Sequence, residues 1–370
     1  MKSLTKRILR IFILILLIVL ALLVTLNFPV ATFLKHTTTQ SYDTWMSETL
    51  SNEDRVIDVA MLGAHDAFTS EMDVFSPVDE LSADSIQTGA VGLLIKGFSY
   101  KQSKTQVSDV TTLLNAGVRY FDIRLTYDLD TKTWWTVHTY FSTPFQQVLE
   151  DIATFLSDHP GEFLVLDVQH VYAVDPLSSS SPLLQIHNLF VDAGVMDYAY
   201  PDNIKPLDEI TYGDVTNNGT EAGVIILSKF YEVDSPIFVY QSSIRSAWAN
   251  TDSLESLYTF LGEEAELIQN HNATTGVQDD GFPVETDSLE AFRVMQGVLT
   301  MQMSGGGIIE AALKWSLLER AMNVNTSLIE HEDFLIWLEA MPIFMVDYAD
   351  STKDDFLDNV MEIIINFNEN

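Results

Sequence analysis

The chain of 370 residues contains no cysteine. That excludes disulfides, thiolate metal sites and cysteine nucleophiles together. Basic residues are scarce as well: 19 Lys and Arg stand against 53 Asp and Glu, a net charge of −34. Nucleic-acid binding depends on neutralising phosphates, so no nucleic-acid partner is expected. Charged residues make up only 19% and hydrophobic ones 47%, which excludes wholesale disorder and permits a large core. Sequons at Asn218, Asn272 and Asn325 arise often by chance and do not fix the source.

Acid is absent from residues 1–28, which hold Lys2, Lys6, Arg7 and Arg10. The run Ile11–Leu26 is apolar apart from Thr25; with Ile8, Leu9 and the stretch to Val30 it can span about 30 Å of hydrocarbon. Its basic flank predicts a single-pass anchor with a cytoplasmic N-terminus and an exported catalytic domain. The alternatives are a cleaved signal peptide, which would make the protein secreted, and a buried core helix. Val30-Ala31-Thr32 is a poor cleavage site. The expected organisation is an anchor or signal over 1–32, a polar stalk over 33–55 and one domain over 56–370.

Beyond the stalk, apolar runs of strand length recur with helical stretches between them. The candidate strands are Val56–Leu62, Val118–Leu125, Trp134–His138, Phe163–Gln169, Gly223–Lys229, Ile237–Tyr240, Val294–Met301 and Pro342–Tyr348. Their β-branched and aromatic content without strict alternation suits strands buried on both faces. The clearest helix is Pro144–Asp158, with a capping box expected between Thr143 and Gln146. The last is Thr352–Phe367. Eight strands alternating with helices predict an α/β fold, a TIM-type (β/α)8 barrel. Residues 69–104 and 170–222 are long insertions; the run Ala90–Ile95 in the first suits a helix packed on the barrel or a membrane contact.

In such barrels the carboxyl ends of strands carry the chemistry. The first candidate strand ends in His65 and Asp66, the second in Asp122 and Arg124, the third in His138 and the eighth in Asp347. Two imidazoles can supply a base and an acid near neutrality, and a guanidinium can stabilise phosphoryl oxygens. The glycine run Ser304–Gly307 lacks the spacing and lysine of a nucleotide loop. His36, His187, His271 and His331 lack metal-ligand spacing.

The stretch Met61-Leu-Gly-Ala-His65-Asp66-Ala-Phe resembles the first catalytic motif of the phosphatidylinositol-specific phospholipase C X-domain family. So do Leu114-Asn-Ala-Gly-Val-Arg-Tyr-Phe-Asp122-Ile-Arg124-Leu, then His138, Thr143-Pro-Phe and His159-Pro-Gly-Glu-Phe-Leu-Val-Leu-Asp167-Val-Gln169-His170. The match is dense over about residues 56–172 and thinner to Asp347. It implies a distorted TIM barrel and cleavage of a phosphatidylinositol-like phospholipid. It also implies His65 as base, His138 as acid, Asp347 orienting His65, Asp66 pairing with His138, and Arg124 on the phosphate, positioned by Asp122.

Calcium-dependent members place carboxylates and an asparagine around a metal. Asp66 and Arg124 stand here instead, so the chain resembles the metal-independent branch, and neither metal nor cofactor is expected. Lys229, Asp167, Tyr240 and Trp248 are candidates for substrate binding, each with a structural role as its rival. His170 reads as structural. Ala64, Ala67 and Thr139 depart from the family's usual residues. Two other functional readings stay open: the same barrel acting on another phospholipid or a glycerophosphodiester, and an idle lipid-binding surface protein.

Overall fold

The computed structural model describes residues 7, 10–14, 40–83, 90–173, 184–229, 236–275, 286–302, 317–351 and 353–370. Most of the candidate anchor Ile11–Leu26, and the Ser304–Gly307 run, lie outside them. Among the described residues no helix is long and apolar enough to cross a membrane.

The strands are β1 (Met61–Ala64), β2 (Val118–Asp128), β3 (Thr133–His138), β4 (Tyr140–Pro144), β5 (Phe163–Tyr172), β6 (Gly223–Ser228), β7 (Ile237–Val239), β8 (Ile244–Arg245), β9 (Phe292–Gln296) and β10 (Ile343–Val346). Eight of them form a parallel sheet in the order β7-β6-β5-β2-β1-β10-β9-β8. Followed along the chain, that is the neighbour order of a (β/α)8 barrel, open along one seam. At the seam the short helix Tyr240–Ser243 joins β7 to β8, and no pairing links them among the described residues. Strands β1, β6, β9 and β10 are buried along their whole length, as their continuous apolar runs require. Gly63 is there because β1 lies tight against its neighbours: a Cβ would sit 2.8 Å from the Tyr120 ring.

Several expectations need correction. Trp134–His138 is not a barrel strand; β3 pairs antiparallel with β2 and with β4, as a hairpin beside the main path. The true eighth parallel strand, Ile244–Arg245, is too short to leave a sequence pattern. The helix over 145–158 buries Phe145, Val148, Leu149, Ile152, Phe155 and Leu156 as expected, but its N-cap is Pro144 and no capping box forms. The Thr143 amide donates to Thr136 Oγ1 and Gln146 to Glu150 instead. The last helix begins at Phe356, after a turn in which Asp354 and Asp355 are left-handed.

The expected stalk is the largest departure. Its described part, residues 40–55, packs on the barrel, with Trp45 and Met46 buried. Arg119 and Glu162, both inaccessible, form the clamp. Arg119 Nε and Nη2 donate to Glu162 Oε2 at 2.9 and 2.8 Å, and Nη2 also reaches the carbonyls of Tyr42 and Asp43. The other carboxylate oxygen accepts the Ser47 amide at 2.9 Å. Removing one partner of a buried pair strands the other's charge. Arg119→Met is therefore expected to cost about 3–5 kcal/mol in urea unfolding. A loss under about 1 kcal/mol, the range of an exposed pair, would contradict the clamp.

Candidate active site

The register Ala64↔Val346 sets the ends of β1 and β10 side by side. The His65 amide donates to the Val346 carbonyl at 3.0 Å, and the two following side chains meet: His65 Nδ1 lies 2.7 Å from Asp347 Oδ1. A carboxylate only accepts, so Nδ1 carries the proton and Nε2 is left for exchange. From the β3–β4 hairpin, His138 Nδ1 faces the Ser103 carbonyl at 2.8 Å and Asp66 Oδ2 at 3.1 Å. Its Nε2 is likewise left over. Asp66 is buried beneath both rings, and its other oxygen pairs with Arg124 Nε. Arg124 Nη2 stands 3.4 Å from both Asp122 Oδ2 and His65 Nε2.

One backbone device serves all three sites. Asp66, Thr139 and Tyr348, the residues after His65, His138 and Asp347, have φ of 41°, 69° and 51°. Each turns the chain sharply just past a site side chain. A left-handed β-branched residue is unfavourable, so Thr139 stores strain beside His138.

The charges set the proton inventory. Burial would lower the His65 pKa, but the Asp66 and Asp347 carboxylates outweigh it and hold the ring at about 9. His138 is pushed below the usual imidazole value by burial, with Arg124 and His65 adding to it against Asp66. Asp66 resists its own burial because Arg124 and the two imidazoles keep it well below the ordinary carboxylate range. The pair of imidazoles therefore holds one proton between an acid limb and an alkaline limb near 9. Above the upper limb both are neutral and no acid remains; below the lower limb both are charged and no base remains. The kcat/KM profile is expected to be bell-shaped with its alkaline fall near pH 9. Asp347→Asn, which removes a charge that raises His65, should move that limb to lower pH. An unmoved limb would contradict the assignment.

The cleft has a volume of about 450 Å³ and is lined by His65, Asp66, Arg124, His138 and Asp347. Lys229, Tyr240 and Trp248 line it too: Lys229 Nζ lies 4.7 Å over the Tyr240 ring, and Trp248 is 42% exposed with its indole N–H on Thr300. Asp167 does not reach the cleft. It is fully buried one layer below, opposite Asp122, and accepts the Tyr120 hydroxyl at 2.6 Å. Burial and the Asp122 charge raise its pKa to about 8. His170, expected to be structural, does line the cleft. It is stacked on Tyr172, and burial with the Arg124 and Lys229 charges holds it near 4.

Other residues had no sequence signal. Gln106 donates to the carbonyls of His65 and Val346 and accepts the Ala349 amide, tying the two strand ends together. Asn325 is fully buried and donates to the Asp347 carbonyl at 2.9 Å, which removes it as a glycosylation site; Asn218 and Asn272 are exposed. His65, Asp66 and Asp122 have ligand atoms within 4.8 Å of one another, a spacing that can hold a metal ion. The Arg124 guanidinium already stands on both carboxylates and supplies a fixed positive charge there.

No family model matches the chain. A human PI-PLC X domain-containing protein 2 is 28% identical over 248 residues, 65% of this chain and 72% of that protein. The variant-surface-glycoprotein phospholipase C of Trypanosoma cruzi is 35% identical over 141 residues, 35% of this chain and 37% of that one. Among solved structures, the phosphatidylinositol-specific phospholipase C of Listeria monocytogenes superposes with a TM-score of 0.55 at 17% identity, covering 86% of this chain and 98% of that chain. That of Staphylococcus aureus gives 0.53 at 15%, covering 89% and 98%. The chain resembles the phosphatidylinositol-specific phospholipase C X-domain family in sequence and in fold. The family's barrel explains why four separate segments, over 280 residues of chain apart at the extremes, deliver their polar side chains to one rim.

Proposed function

We propose that the chain is a phosphodiesterase cleaving phosphatidylinositol or a glycosylated relative without a metal ion. The observation that carries it is a pair of imidazoles, each backed by its own carboxylate, flanking one fixed guanidinium. His65 Nε2 takes the proton of the inositol 2-hydroxyl, whose oxygen attacks phosphorus. The bond from phosphorus to the glycerol oxygen breaks, and His138 Nε2 protonates that oxygen. Arg124 holds the phosphoryl oxygens, and Asp66 and Asp122 hold Arg124. The productive form, with His65 neutral and His138 charged, contains the same single proton as the free pair. The products are diacylglycerol and a cyclic inositol phosphate, which water opens by the reverse use of the pair. Lys229, Tyr240 and Trp248 wall the headgroup side.

A lipid substrate suits the rim. Trp248, which lines the cleft, is exposed, and so are Phe75 and Leu129 in the segments after β1 and β2 and Val239 at the end of β7. The segment Ile11–Leu26 serves on this reading as a membrane anchor that holds the domain, exported, at the surface despite its acidity. The test is diacylglycerol release from a headgroup panel. Phosphatidylinositol should be cleaved and phosphatidylcholine, which has no hydroxyl beside its phosphodiester, should not. Equal release from both would overturn the internal-attack mechanism.

A further inference from the structure

One buried carboxyl group has no part in the chemistry above. Asp167 is inaccessible on β5, and its Cα partner across the sheet is Asp122 on β2. Partners on neighbouring strands stand about 4.7–4.9 Å apart with their side chains on the same face, so the two carboxyl groups lie side by side. Asp167 Oδ2 accepts the Tyr120 hydroxyl at 2.6 Å. Asp122 Oδ2 accepts the Asp66 amide at 3.0 Å and faces Arg124 Nη2 at 3.4 Å. That leaves Asp167 Oδ1 and Asp122 Oδ1, both buried and both without a hydrogen-bond partner among the described residues.

Two ionised carboxylates cannot satisfy each other, because each only accepts. Side by side in a buried layer they also repel. A single proton removes both faults, since it cancels one charge and supplies the missing donor. The surroundings say which group carries it. Asp122 already serves two donors, a guanidinium and a backbone amide, that require an acceptor. Burial and the Asp122 charge raise the Asp167 pKa to about 8, against the opposing pull of Tyr120, Lys229 and Arg124. The Tyr120 hydroxyl cannot be the source of the proton. Burial, with Asp167, Asp122 and Tyr240 nearby, pushes it well above the usual phenol value.

We propose that Asp167 is a positioning residue that works in its protonated form. Its Oδ1–H donates to Asp122 Oδ1, which fixes Asp122 with Oδ2 toward Arg124 and the Asp66 amide and so aims the guanidinium at the phosphate. Asp167 acts through Asp122 and touches no reacting atom. The aim at phosphate rests on the mechanism given above; the shared proton does not.

Infrared spectroscopy of the full chain detects that proton directly. Above the ordinary carboxylate range, wild type should show the C=O stretch of a protonated carboxyl group that is missing from Asp167→Asn, and the band should fade as pH rises through about 8. Asparagine keeps the shape, offers an N–H to Asp122 and cannot ionise, so its kcat/KM at neutral pH should stay within about threefold of wild type. Asp167→Ala leaves Asp122 Oδ1 without a donor and should fall at least about tenfold, the scale of one buried acceptor left unsatisfied. In wild type a first decline in kcat/KM should set in near pH 8, ahead of the His65 limb, and Asp167→Asn should abolish it. If the Ala variant does not fold, the band and the Asn variant still decide. Absence of the band from wild type would overturn the proposal. A folded Asp167→Asn that loses at least about tenfold would also overturn it, because the charge and not the proton would then be what Asp122 needs. Equal activity of all three proteins would overturn the positioning role. A wild type that shows the band but cleaves no inositol lipid would overturn the mechanism and leave the shared proton standing.

Discussion

Alanine at His65 or at His138 is expected to lower turnover by at least about 10³-fold, the upper range for loss of a general acid or base. The loss should be large because no other group among the described residues lining the cleft can take over. His170 is the nearest alternative imidazole, but burial and the Arg124 and Lys229 charges hold it near 4, too weak a base to accept a proton at neutrality. Both catalytic rings are partly exposed, so truncation leaves no large void and the fold should survive. Activity within tenfold of wild type in either variant, with an unchanged circular dichroism spectrum, would sink the mechanism.

Arg124→Gln is expected to lower kcat/KM by about 10²–10³-fold, the cost of losing one electrostatic stabiliser of a developing charge. The guanidinium does two things at once: it presents a positive charge to phosphate and compensates the buried Asp66 and Asp122. Arg124→Lys keeps the charge but loses the planar fork, so it should fall between wild type and Arg124→Gln. The wild-type enzyme should keep full activity in EDTA, because the positive charge at the phosphate is covalently part of the chain. Chelation that abolishes activity, with calcium restoring it, would mean that His65, Asp66 and Asp122 hold a metal in spite of Arg124.

Much of this site was legible in the sequence because it is built from strand ends. A polar residue just past a buried apolar run has few places to go except the rim, which is how His65 and Asp347 stand out; Asp122 and Arg124 instead lie within β2, which runs on to Asp128, with Arg124 reaching the cleft and Asp122 buried below it. His138 was located correctly for the wrong reason. Trp134–His138 has the composition of a buried strand, and composition does not say whether a strand pairs parallel or antiparallel. Asp167 was misplaced by one layer: it lies level with Asp122 across β2 and β5, below the rim that Gln169 and His170 reach. Gln106, Asn325 and the Ser103 carbonyl were invisible because they act through backbone groups brought together only by the fold. The packed segment around Trp45 was read as a stalk because its contacts run through Arg119 and Glu162, far along the chain.

The central claim is internal attack by a neighbouring hydroxyl, with His65 and His138 sharing the proton work. Phosphorus NMR of a phosphatidylinositol reaction followed in time tests it most directly. The account predicts that a five-membered cyclic phosphodiester signal appears first and that the acyclic inositol phosphate grows from it later. An acyclic phosphomonoester formed from the first turnover, with no cyclic species at any time, would contradict it.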